Sequence, residues 1–224
     1  MKEILQKAID RKQKALSEYD SKRVIASAGV AITREGLAAS RDEAVSLAEG
    51  FGFPVVLKGC SSTLTHKTET GMVKLNLGSA GDVAKAYDEI IAAGAELDGV
   101  LVQEMIKGVR EFVIGLTRDP QFGPCVMFGL GGILTETLKD TVFRIAPLTM
   151  YDAKDMMSEI RANAILQPFR GEAAVDIDLL AKILIAVGEI SLQYEAIAEI
   201  DINPLKIRRD GKPVAVDALI VLTS

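Results

Sequence analysis

Residues 197–220 read IAEIDINPLKIRRDGKPVAVDALI, and this stretch decides the fold. From Glu199 to Asn203 polar and apolar residues alternate, so Glu199, Asp201 and Asn203 share one face of a sheet. Arg209-Asp210-Gly211 reads as a three-residue hairpin loop with glycine in the left-handed position. A turn centred on Asp210 sets Asn203 directly opposite Asp217, with Cβ atoms about 5 Å apart. Two hard oxygen ligands on one face suit Mg²⁺, which keeps waters and accepts substrate phosphates. The other reading is the solvated polar face of an edge hairpin. Register decides between them, because a slip of one residue sends Asp217 to the opposite face. Pro204, which has no N–H to donate, interrupts the pairing.

Working outward, further β runs are predicted at Val30–Thr33, Phe53–Lys58, Met72–Leu77, Val100–Met105, Arg110–Thr117, Cys125–Phe128 and Thr141–Ile145. Within the opening stretch the strands are Ile197–Ile202, Leu205–Ile207 and Pro213–Ile220. Helices are predicted over Met1–Ser17, Asp20–Ala28, Ala80–Ala93, Met150–Asn163 and Ile177–Leu192. Another opens at a capping box beginning with Ser40 and ends near Gly50. Strands and helices do not alternate as regular βαβ units, so the fold class is α+β, in two lobes, and not a doubly wound sheet. The lobes are placed approximately at 21–102 and at 1–20 plus 103–224. No Pro/Ser linker separates them, so they are expected to share a cleft.

The chain has 224 residues, 49% hydrophobic and 25% charged, which is outside the disordered range. A net charge of −5 and the lack of a basic stripe interleaved with aromatics argue against nucleic-acid binding. The basic residues between Lys2 and Lys14 read as a solvated helix face. Cys60 and Cys125 form no CxxC pattern, which fits a reducing cytoplasm. There is no apolar run of about 18 residues and no signal-peptide core at the N-terminus.

Other motifs carry chemistry. Phe128-Gly129-Leu130-Gly131-Gly132-Ile133 reads either as a loop whose backbone N–H groups cradle phosphate or as a tight structural turn. It fits neither the dinucleotide fingerprint nor the P-loop. Lys58, at the end of an apolar strand, is a phosphate ligand or a snorkelling strand-end lysine. His66 is the only histidine in the chain. It lies in a loop dense in hydroxyls and charge, beside Lys67, where an imidazole can act as nucleophile or remain passive. The strand ending at Gln103 and Glu104 can read an adenine through its backbone, with Glu111 directed to a ribose.

Taken in order, FPVVLKG, the His66-Lys67 loop, VLVQEM, REFVIG, FGPCVMFGLGG, KDTVFR, EIDINPL and VDA resemble the β subunit of ADP-forming acetyl-CoA synthetases (acetate–CoA ligases). These are ATP-grasp relatives of the succinyl-CoA synthetase β chain. The resemblance spans nearly the whole chain. It implies an ATP-grasp fold whose two lobes clamp ADP or ATP. Lys58 would contact phosphates with help from Lys22. Gln103 and Glu104 would lie at the adenine, Glu111 near the ribose, and Asn203 and Asp217 on Mg²⁺. Gly131 and Gly132 would stand in the nucleotide loop. It further implies a CoA-binding α subunit as partner, in a heterotetramer, and a phosphate relay in which His66 carries the phosphoryl group. The family's loop reads HKSDxGGV. Here it is HKTETGMV, with Met72 in place of a glycine. The alternatives are a carboxylate–amine ligase acting through an acyl phosphate, which needs neither His66 nor a CoA subunit, and a non-catalytic ATP-binding module.

Overall fold

The computed structural model describes residues 1–61, 71–93, 96–132 and 140–223. In chain order the elements begin with α1 (Lys2–Asp10), α2 (Glu18–Ala26), β1 (Glu35–Ala38), α3 (Arg41–Phe51), β2 (Val55–Cys60) and β3 (Val73–Leu77). Next come α4 (Ala80–Ala92), β4 (Gly99–Glu104), β5 (Glu111–Asp119), β6 (Gly123–Leu130) and β7 (Thr141–Ile145). After α5 (Met150–Glu159) and a 3-10 turn (Asn163–Leu166) follow α6 (Ile177–Gln193), β8 (Ile197–Ile207), β9 (Pro213–Ala215) and β10 (Leu219–Leu222). Every strand pair among the named strands is antiparallel, so the α+β expectation holds.

The chain divides into two compact units. One comprises Met1–Leu16, Asp20–Ile32 and Lys107–Ser224, the other Ser17–Tyr19 and Thr33–Ile106. The sequence-based division put residues 21–32 with the smaller unit. They fall with the larger one because Val24, Ile25 and Val30 enter its core.

The smaller unit is a four-stranded sheet in the order β1-β4-β2-β3. Val55, Leu57, Val100 and Val102 point from it into a core shared with Ala44, Ala48, Val83 and Ile90 of α3 and α4. Both helices start on serine caps: Ser40 accepts from Glu43 N and Ser79 from Asp82 N. The predicted strand Val30–Thr33 is absent. Ile32 makes only one isolated bridge, to Ala215, and the strand forms later, at Glu35–Ala38. Glu-Gly-Leu-Ala has little intrinsic β preference, and pairing along β4 supplies what propensity does not.

The larger unit is a six-stranded sheet, β10-β8-β5-β6-β7, with β9 also paired to β8. Phe112, Ile114, Leu116, Val126, Phe128, Ile200 and Ile202 line one face and pack with Leu180, Ile183, Leu184 and Val187 of α6. Arg118 closes the end of α6. Its guanidinium donates to the carbonyls of Ser191, Tyr194 and Ile197 at 2.5, 3.0 and 2.6 Å, taking up groups that a helix C-terminus leaves without partners. No helix among the described residues is long and apolar enough to cross a membrane.

Candidate functional site

The hairpin register derived from the sequence is the one observed. Leu205 pairs with Ala215, Lys206 with Val214 and Ile207 with Pro213. The ladder continues through Val216 N to Pro204 O (3.0 Å) and Asn203 N to Asp217 O (3.3 Å). Beyond it Asp201 pairs with Leu219. The loop closes by Arg208 N to Lys212 O and Gly211 N to Arg208 O, with Gly211 at φ +87°. Asn203 and Asp217 thus stand opposite each other on adjacent strand segments.

Pro204 does not end the strand but puts a bulge in it. Phe112 pairs with Leu205 while Ile114 pairs with Ile202, so Asn203 and Pro204 together stand against Val113. The extra residue absorbs the missing N–H and inverts the alternation. Ile200 and Ile202 point into the core before the bulge, Leu205 and Ile207 after it. Glu199, Asp201 and Asn203 therefore share the opposite face with Lys206.

Register across the sheet aligns this face in rows. One row runs Leu219, Asp201, Gly115, Met127, Phe143. Another runs Val214, Lys206, Glu111. Lys206 Nζ lies 2.9 Å from Glu111 Oε1. Gly131 extends the second row, its amide donating to Glu111 O at 2.8 Å. The Gly131 N–H thus completes the β5–β6 ladder. What requires glycine there is space: a Cβ would lie 2.8 Å from the backbone of Glu111 and Phe112. Gly132 has φ +78°, and a Cβ would lie 3.0 Å from Glu111 Oε2, so glycine is demanded twice over.

Lys22 is fully buried, and its Nζ donates to Val216 O at 3.3 Å, next to Asp217. It braces the turn that carries Asp217. Asp201 presents surface to solvent, yet the protein around it displaces enough water to raise its carboxyl. Burial first, then the charges of Asp217 and Glu199, push it up to about 6.

A carboxyl raised on folding binds its proton more tightly in the folded chain. Its ionised form therefore lowers stability above about pH 6, and this cost disappears as pH falls toward about 4. Asp201→Asn is expected to raise the melting temperature at about pH 8 in metal-free buffer and to change it little at about pH 4. Thermal melts at both pH values test this. An equal difference at both would show that Asp201 titrates normally.

In the smaller unit, Lys58 is neither at a strand end nor snorkelling. It lies inside β2, and its Nζ donates to Glu18 Oε1 at 2.6 Å, with the two side chains 7% and 1% exposed. Gln103 is buried, paired with Val56 on one side and Glu35 on the other. The Glu104 carboxylate accepts from Arg34 N (3.0 Å) and Arg34 Nε (3.2 Å). His66 lies outside the described residues.

Sequence reasoning missed Glu18, whose partner is 40 residues away, and Lys206, whose face depends on the bulge. Asp201 was visible as a neighbour of Asn203 on the same face, but not as a perturbed acid. Among the described residues no three His, Cys, Asp or Glu cluster as a metal site. Asn203 and Asp217 nevertheless fit Mg²⁺, which needs only one or two protein oxygens when phosphates and water complete its shell.

With this geometry in hand, comparison with known proteins is informative. A family model described as ATP-grasp domain matches residues 7–222. The chain is 40% identical over 227 residues to the acetate–CoA ligase [ADP-forming] I subunit beta of Pyrococcus furiosus, covering 99% of this chain and 97% of that one. It is 43% identical over 205 residues to acetate–CoA ligase [ADP-forming] I of Archaeoglobus fulgidus, covering 89% of this chain but only 30% of that longer protein. Among solved structures, the dinucleotide-forming acetyl-coenzyme A synthetase 1 of Ca. Korarchaeum cryptofilum with coenzyme A and Ca-AMPCP matches with TM-score 0.93 and 44% identity over 99% of both chains. The same enzyme with coenzyme A and Mg-AMPPCP, its phosphohistidine segment pointing towards the nucleotide binding site, matches with TM-score 0.88 and 43% identity over 99% of both chains.

Proposed function

The chain belongs to the ATP-grasp family, among the β subunits of ADP-forming acetate–CoA ligases, and from this we propose that it exchanges a phosphoryl group between ADP/ATP and a histidine. It does so as the nucleotide-binding subunit of a cytoplasmic acyl-CoA ligase. Its partner is a CoA-binding α subunit, in a heterotetramer. The observation that supports the reading is the Asn203–Asp217 register, in which Asn203 N donates to Asp217 O at 3.3 Å.

Asn203 and Asp217 are assigned to Mg²⁺, and Lys22 supports them by fixing the carbonyl before Asp217. When bound, the cation neutralises phosphate charge. Glu111, held over Gly132, is assigned to the ribose hydroxyls. Lys58 is assigned to the phosphates, with Glu18 holding its ammonium in place. Gln103 and Glu104 are assigned to the adenine, Glu104 being fixed by Arg34.

His66 is assigned as the phosphoryl carrier on its place in the HK loop. In the ATP-forming direction, an oxygen of the ADP β-phosphate forms a bond to phosphorus. The P–N bond to the imidazole breaks, and its electron pair returns to the ring nitrogen. Little covalent work falls to other side chains, so the remaining residues act by position and charge. An alignment at 40% identity that covers 97% of a relative named a ligase β subunit favours this over a carboxylate–amine ligase.

The test is acid-labile phosphate on this chain after incubation with Mg²⁺ and γ-labelled ATP, with and without the α subunit. Label on the wild type that is lost in His66→Ala is the expected result. Nucleotide binding without label in either condition would remove the relay.

A further inference from the structure

We propose that Lys206 is a positioning residue that sets nucleotide specificity: it holds the Glu111 carboxylate where it can receive the ribose hydroxyls. The inference rests on the ribose assignment of Glu111. Lys206 is the cross-strand partner of Glu111, and its Nζ approaches Glu111 Oε1 at 2.9 Å with the two side chains 20% and 27% exposed. The pair is therefore partly withdrawn from water, where an ammonium orients a carboxylate better than at an open surface.

The other carboxylate oxygen, Oε2, faces Gly132, at a position that would lie 3.0 Å from a Cβ there. Glu111 is thus bracketed, with the lysine on one oxygen and the glycine backbone beside the other. A carboxylate oxygen that takes one hydrogen bond from lysine keeps further acceptor capacity for hydroxyl donors. The arrangement exists only because of the bulge at Asn203-Pro204, which brings Lys206 onto the face of Asn203 and Asp217. On the flank away from Glu111, Lys206 pairs with the buried, apolar Val214, so Glu111 is the carboxylate its own row offers it.

Removing the lysine frees Glu111 to rotate. The loss falls on ligands that carry both ribose hydroxyls and spares those that lack one. The experiment measures binding of ADP, 2′-deoxy-ADP and 3′-deoxy-ADP, with Mg²⁺, to wild type, Lys206→Met, Lys206→Arg and Glu111→Gln by titration calorimetry. Wild type is expected to prefer ADP over a deoxy analogue by about tenfold or more, the scale of a hydrogen bond to a charged group. Lys206→Met is expected to narrow that ratio to below about threefold, and Lys206→Arg to retain it.

Because each ratio is read on one preparation, partial loss of folded protein cancels. A merely structural role for Lys206 weakens all ligands alike, so an unchanged ratio in Lys206→Met overturns the inference. A ratio narrowed by Glu111→Gln and untouched by Lys206→Met leaves the ribose assignment standing and removes only Lys206. A ratio unaffected by Glu111→Gln, or absent in wild type, overturns the assignment of Glu111 and this inference with it.

Discussion

Lys58→Met is expected to destabilise the smaller unit by about 3–5 kcal/mol, the scale for breaking a buried ion pair by removing one member. Glu18 is 1% exposed, and the lysine reaches it at 2.6 Å from the middle of β2. Replacing both partners behaves differently. Lys58→Met combined with Glu18→Gln is expected to recover to within about 1–2 kcal/mol of wild type, because both charges of the pair are then removed together. ADP affinity separates structure from function in the same variants. If Lys58 contacts phosphate, the double variant regains stability but not affinity, while Glu18→Gln alone keeps most of its affinity. Urea unfolding, followed by amide exchange in β2 and β4, reads the first effect, and calorimetry reads the second. A single variant within about 1 kcal/mol of wild type would sink the stability argument.

Arg110→Met is the second large effect, in the other unit. Arg110 is fully buried. Its Nε donates to Glu172 Oε2 at 3.1 Å and its Nη2 to Ala173 O at 2.6 Å, while Nη1 reaches the carbonyls of Ile165 and Gln167 at 3.4 Å. The guanidinium thus gathers the segment around residues 165–173 onto the start of β5. That segment in turn grips the hairpin loop, with Ala173 N donating to Arg209 O and Asp176 N to Gly211 O. Arg110 O accepts from Ile207 N, so one residue joins β5, the segment and the hairpin whose register sets Asn203 against Asp217.

Its removal leaves Glu172 unpaired and three carbonyls short of a donor. The expected cost is about 3–5 kcal/mol. Lysine is expected not to rescue it, because an ammonium cannot match a planar fork spread over a carboxylate and several carbonyls. Amide exchange at Ala173, Asp176 and Ile207 should speed up in step. Unchanged protection there would show that the segment is held by packing alone.

The sequence by itself determined the local features. Alternation over Glu199–Asn203 and the three-residue loop around Asp210 set the register that places Asn203 opposite Asp217, because a short hairpin loop leaves the pairing little choice. Most strands and helices were legible in the same way, as was the cap at Ser40, where a side-chain oxygen meets the first free amides. Resemblance supplied the roles proposed for Lys58, Glu111 and His66, which no periodicity contains.

Tertiary structure decided the rest. Strand order and the late start of β1 come from pairing along β4, which outweighs weak local propensity. The bulge at Pro204 turned Lys206 to the face of Glu111, an inversion that a period of two cannot foresee. On the other side of β5, the Gly131 amide joins the ladder by donating to Glu111 O. The Lys58–Glu18 and Arg110–Glu172 pairs join residues 40 and 62 positions apart. Charges so distant in sequence leave no pattern along the chain. Only folding removes the water that made each of them affordable alone, and so forces them together.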